Sequence, residues 1–143
     1  MQITDHFSRG EWTCKNSEKT KYPCKWIDDR LFPLCQILEK IRAKISQAAN
    51  QEIGLKITSG YRTKEYNDDL RKRGIGAAKR SYHTRGMAAD FRPINRKGAT
   101  KVSINALFYC IQAMVESGQI PDGGLHKYKS FIHYDNRGKK ARW

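Results

Sequence analysis

Ser81-Tyr-His-Thr-Arg-Gly-Met-Ala-Ala-Asp90 reads as half of a metal site set on a bend. His83 and Asp90 stand seven positions apart, which puts the imidazole on a loop and the carboxylate on the strand suggested by Met87-Ala-Ala-Asp-Phe91. Both groups suit zinc, and a catalytic zinc takes three protein ligands with the fourth position left to water. The third ligand has to come from another segment. His133 is the candidate, in Ser130-Phe-Ile-His-Tyr-Asp135, a short apolar run that also reads as a strand. Ser81 and Gly86 frame His83, and Gly86 permits a backbone geometry that a side chain would hinder.

Upstream of this stretch, Leu31, Leu34, Cys35, Leu38, Ile41 and Ile45 recur at helical spacing and predict an amphipathic helix from about Leu31 to Asn50, with Pro33 in its first turn. Leu55-Lys-Ile-Thr58 alternates and reads as a strand leading into Ser59-Gly60. Thr63 is placed to cap a helix over roughly Lys64 to Lys72, ended by Gly74. Arg62, at the junction of strand and helix, can reach over a sheet edge into a cleft and hold a carboxylate by two parallel hydrogen bonds. An internal salt bridge is its alternative role. Gly74 to Arg80 lacks the spacing of either nucleotide-binding glycine loop and is read as a border of the cleft.

Downstream, a basic connector from Arg92 to Lys101 precedes a second amphipathic helix from about Val102 to Ser117. Its buried face is Ile104, Leu107, Phe108, Ile111, Met114 and Val115. Gly118, Pro121 and Gly123-Gly124 then turn the chain into two closing strands, about Gly124 to Tyr128 and Phe131 to Asp135. The elements add up to an α+β domain. A mainly antiparallel sheet carries His83, Asp90 and His133 along one cleft, with helices packed on the opposite face.

At 143 residues the chain is expected to form one domain, 1–143, in which residues 1–29 are a lead-in anchored by Phe7, Trp12, Tyr22, Pro23 and Trp26. Hydrophobic content of 38% and charged content of 29% argue against wholesale disorder. The 28 Lys and Arg against 14 Asp and Glu leave a net charge of +14, which calls for an anionic partner. Charge alone does not choose between nucleic acid and a phosphate-rich bacterial wall polymer. No apolar run reaches the length of a membrane span, and Met1-Gln-Ile-Thr-Asp-His-Phe7 lacks an apolar export segment, so synthesis in a cytoplasm without its own export signal is expected. Cys14, Cys24, Cys35 and Cys110 do not fall into paired metal-binding spacings. Cys14 and Cys24 bracket a lysine-rich loop and could pair in an oxidising space; Cys35 and Cys110 read as small core residues.

The ordered set Ser59-Gly-Tyr-Arg62, Ser81-x-His-x-x-Gly-x-Ala-x-Asp90 and Phe131-x-His-x-Asp135 resembles the zinc D-alanyl-D-alanine carboxypeptidase and murein endopeptidase family. The resemblance runs from Phe7 to Trp143 and implies a hedgehog/DD-peptidase-like fold holding Zn2+ on His83, Asp90 and His133. It implies peptidoglycan as the substrate, met by Arg62, Tyr61 and Ser81, and a monomer acting at the bacterial cell wall. A wall-cutting protein without an export signal fits a phage endolysin. Better-defined relatives place a carboxylate three residues before the last histidine, where this chain has Ser130. Asp135 is the first candidate for the catalytic base, with orientation of His133 as its other role, and His126 is the second. The competing readings are a non-catalytic metal-containing wall-binding module and, with only charge in its favour, a nucleic-acid-binding protein or nuclease.

Overall fold

The apolar stripe beginning at Leu31 builds the longest helix, α1 (Phe32–Ala49), with Pro33 in its first turn and Asn50 closing it in the left-handed conformation. Leu34, Cys35, Ile37, Leu38, Ile41 and Ile45 are buried along it. A π-helical turn, Ile27–Leu31, feeds the chain into α1. The computed structural model describes residues 1–143. After α1 come β1 (Gly54–Ser59), α2 (Lys64–Lys72), β2 (Ala88–Ile94), α3 (Ile104–Glu116), β3 (Gly124–Lys127) and β4 (Ile132–Asp135). Two of the helix starts are secured by hydroxyls. Thr63 Oγ1 accepts from Tyr66 N at 3.1 Å and Ser103 Oγ from Ala106 N at 3.0 Å, each satisfying a donor the helix cannot.

The four strands form one sheet in the order β1-β2-β4-β3, antiparallel throughout. The protein is therefore α+β, as expected. Strand alternation divides the sheet into two faces. Leu55, Ile57, Ala89, Phe91, Leu125, Ile132 and Tyr134 join residues of α1 and α3 in a single core. On the other face, Asp90, His133 and His126 lie side by side, because Asp90 is in register with His133 and His133 with His126.

β2 is longer than the sequence suggested, running through Arg92 and Pro93 to Ile94 instead of giving way to a connector after Phe91. Pro93 pairs with Leu55 of β1, while β4 reaches only as far as Phe91. One side of the strand is thus open at Pro93, where a missing N–H costs the ladder nothing. α3 buries Leu107, Ile111 and Met114 and packs Ile104, Phe108 and Val115 at the edge of the core.

The lead-in is packed, not trailing. Phe7, Trp12 and Tyr22 are buried, and Trp12 Nε1 donates to the Ala88 carbonyl at 3.3 Å. Tyr22 Oη donates to the Gly86 carbonyl at 2.6 Å, so the segment braces the turn that carries His83. All four cysteines are free, with Cys14 and Cys35 buried and Cys24 exposed. No helix is long and apolar enough to cross a membrane.

Candidate metal centre

His83 sits in a 3-10 turn, Tyr82–Arg85, opened by Ser81 and closed by Gly86 at φ +68°. Ser81 Oγ accepts from His83 N at 3.2 Å. A Cβ on Gly86 would stand 2.6 Å from Tyr22 Oη, so both the positive φ and the close approach require glycine there. The turn aims the imidazole at the sheet face where β2 presents Asp90 and β4 presents His133. All three are buried, and one ligand atom from each lies within 4.8 Å of the others.

Hydrogen bonding fixes which ring nitrogens face inward. His83 Nδ1 donates to the Gly60 carbonyl at 2.6 Å; since a carbonyl only accepts, Nδ1 carries the proton and Nε2 keeps its lone pair for Asp90's side, 3.2 Å from Oδ1. His133 is turned the other way, with Nδ1 2.9 Å from Asp90 Oδ1 and Nε2 2.7 Å from Asp135 Oδ2. Each histidine therefore has its outer nitrogen held by an oxygen and its inner nitrogen on the cluster, the arrangement that raises ligand basicity in metal sites. The donor set of two imidazoles and one carboxylate fits zinc.

Electrostatics agree with that fit at His83 and Asp90, while His133 is drawn toward its charged form by the carboxylates on either side of it. Burial pushes the His83 pKa down against the opposing pull of Asp90, and Arg62 and His133 push it further, so the ring stays neutral as a ligand must. Burial would raise Asp90, but the two histidines outweigh it and hold the carboxyl well below the usual range. Burial likewise opposes charge on His133, yet its hydrogen bonds to Asp135 and Asp90 leave its pKa raised.

Asp135 is fully buried and saturated. Its Oδ1 accepts from Arg137 Nε at 2.7 Å and Gly124 N at 3.1 Å, and its Oδ2 from Arg137 Nη2 at 2.7 Å as well as His133. A Cβ on Gly124 would overlap this carboxylate, so the glycine read as a turn signal is there for close approach. Burial favours the neutral acid, but Arg137 and His133 pull Asp135 well below its ordinary range.

A cavity of about 370 Å³ opens over the cluster. Arg62 and Ser81 line it. Arg62 Nη2 lies 3.6 Å from Asp90 Oδ2 and Nη1 donates to Asn67 Oδ1 at 3.2 Å, while Nε is buried without a partner. Two of the residues read as site members stand elsewhere. Tyr61 packs edge-on against Tyr22 and Trp26, at 5.9 and 6.1 Å, and does not line the cavity. His126 stacks flat on Trp143 at 5.2 Å and lines a neighbouring hollow instead of the cavity over the cluster, while the same indole meets His133 edge-on at 5.1 Å. Sequence reasoning missed Tyr82, Tyr128, Phe131 and Trp143 as lining residues and Arg137 as the clamp on Asp135. Arg137 stands two residues beyond Asp135, a spacing that could have signalled it. Asp90 is the one carboxylate on the cavity wall.

A family model described as Peptidase M15 matches residues 5–135. Peptidoglycan L,D-endopeptidase MepK of Escherichia coli is 51% identical over 91 residues, which are 62% of this chain and 43% of that protein. MepK of Shigella flexneri matches to the same extent. The chain thus spans less than half the length of the curated relatives it matches. No solved structure matches. The family match takes in the lead-in, the His83 turn and all four strands, and the chain belongs to the Peptidase M15 family.

Proposed function

We propose that this protein is a zinc-dependent hydrolase of peptide bonds in peptidoglycan stems or cross-links, acting as a single domain at the bacterial cell wall in cell-wall lysis of the endolysin kind. The observation that carries the reading is the buried convergence of His83 Nε2, Asp90 Oδ1 and His133 Nδ1, with the outer nitrogen of each histidine already held by an oxygen. The 51% identity to a protein named as an L,D-endopeptidase favours an internal bond over a terminal D-alanine.

Zinc on His83, Asp90 and His133 would supply Lewis acidity, polarising the scissile carbonyl and lowering the pKa of water. The chain's own residues supply the rest. Arg62, which lines the cavity beside Asp90, offers guanidinium donors to a substrate carbonyl or carboxylate oxygen. Ser81 lends a hydroxyl at the cavity wall, and Tyr82, Tyr128, Phe131 and Trp143 enclose the peptide and exclude bulk water. Asp135, its four acceptor positions engaged by Arg137, Gly124 and His133, orients His133 and is unsuited to accept a proton from water.

A second reading is a non-catalytic wall-binding module that keeps the metal. It is favoured by the cavity wall, which holds no carboxylate besides Asp90, and by Ser130, which lies outside the cavity. Digestion of purified peptidoglycan by zinc-loaded protein, followed by mass spectrometry, separates the two. Fragments that vanish with chelation and in His83→Ala establish the hydrolase and name the bond; intact walls from several sources, with stoichiometric zinc bound, establish the module.

A further inference from the structure

On the side of α2 away from the core, Lys64, Asp68, Arg71 and Lys72 share one helix face at i, i+4, i+7 and i+8. Lys79 and Arg80 stand across from them, and these six residues enclose an open depression of about 660 Å³ with no apolar wall. Asp68 lies 3.7 Å from Arg71. Lys64, Lys72, Lys79 and Arg80 have no acidic partner, so four positive charges face one another across the hollow. Like charges so placed weaken the free protein slightly, and an anion between them reverses the sign of that interaction.

The depression is built into the fold. Asn67, buried on α2, donates Nδ2 to the Ala78 carbonyl at 2.8 Å and so ties the loop to the helix. Its Oδ1 accepts from Arg62, the residue that faces Asp90. Arg80 lines both the depression and the metal cavity, which makes the two sites neighbours along one surface.

We propose that this depression binds a linear phosphodiester polymer of the cell wall and holds it beside the metal cavity. The choice of a wall polymer rests on the wall-hydrolase reading; the choice of phosphodiester rests on the chemistry of the hollow. Three of the four unpaired cations are lysines, compact point charges that accept a phosphate from any direction, whereas planar carboxylates favour arginine forks. Single-stranded nucleic acid is held through aromatic platforms as well as cations, and no aromatic residue lines this hollow. A polyol-phosphate chain offers charge without bases and matches what is there.

The test uses the zinc-loaded full chain and poly(glycerol phosphate) oligomers, with binding followed against salt. Wild type should bind with a log K against log [salt] slope of roughly −3, from about 0.7 per neutralised phosphate over four cations. The triple variant Lys64→Glu, Lys72→Glu, Lys79→Glu should bind at least tenfold more weakly, with unchanged zinc stoichiometry and unchanged cutting of polymer-free stem fragments. A charge-matched control, Lys40→Glu, Lys44→Glu, Lys97→Glu, should stay within twofold of wild type. If the triple variant melts early, the Lys→Gln version at the same three positions should still lose threefold or more. Equal losses in patch and control variants overturn the proposal, as does tighter binding to single-stranded DNA carrying the same number of phosphates. Patch-dependent polymer binding by a protein that cuts no wall fragment would sink the hydrolase reading and leave this site standing.

Discussion

His133 presents its Nε2 edge to Asp135 at 2.7 Å, on the far side of the ring from Asp90. Asp135 therefore sets the tautomer and angle of the His133 ring in the cluster without touching the cavity. Asp135→Asn should keep the fold at neutral pH and weaken zinc binding roughly tenfold to hundredfold. Competition with a chromophoric chelator measures this, and an unchanged affinity would remove Asp135 from the metal's support.

The same carboxylate predicts an acid limb. Its folded pKa lies below the unfolded value of about 3.9, so the stability it adds is complete above that pH and lost as pH falls through it toward the folded value. Urea unfolding of the wild type should lose stability across pH 5 to 3, and Asp135→Asn should lose less over that window. Parallel curves for the two proteins would contradict the assignment.

Gly124 is pressed against that carboxylate. Gly124→Ala should destabilise by about 1–3 kcal/mol, since the added methyl overlaps a group fixed by four hydrogen bonds. Gly10→Ala, where an added Cβ meets no atom within 4 Å, should stay within about 0.5 kcal/mol in the same denaturation assay.

Removing the metal should cost the fold what binding gave it. At free zinc a hundredfold above its dissociation constant, stabilisation is about 2.7 kcal/mol. Chelation should lower the melting temperature of wild type, zinc should restore it, and His83→Ala should respond to neither. A wild type indifferent to chelation would mean that the cluster holds no metal in solution.

His126 supplies a kinetic test. Stacked on Trp143 and outside the cavity over the cluster, it should tolerate substitution, with His126→Ala keeping peptidoglycan cleavage within about tenfold of wild type. A general base would cost about a hundredfold to ten-thousandfold on removal. A loss of that size would bring His126 back as the proton acceptor.

What could be read from the sequence was what is local. The periodic stripe of α1, the Thr63 cap and the spacing of His83 from Asp90 depend on neighbours in the chain, and all three appear in the structure. Tyr61 was misplaced because its neighbour Arg62 enters the cavity while Tyr61 turns toward Tyr22 and Trp26, aromatics from the distant lead-in. Arg137 stands close to Asp135 in the chain, and the fold turns that proximity into a two-pronged grip on the carboxylate. The length of β2 was hidden by Pro93, whose acceptability depends on where β4 stops.

The position of β4 has a consequence for biosynthesis. β4 is an inner strand of the sheet, inserted between β2 and β3, and it brings His133. On a ribosome, His83 and Asp90 emerge long before their third partner, and no local hairpin can complete the cluster for them. The cluster is assembled only when β4 slots in beside β2 in the middle of the sheet, a pairing of high sequence separation and therefore slow. His83 and Asp90 therefore wait for a partner 43 positions beyond Asp90, and the buried cluster exists only in chains that have made this long-range pairing.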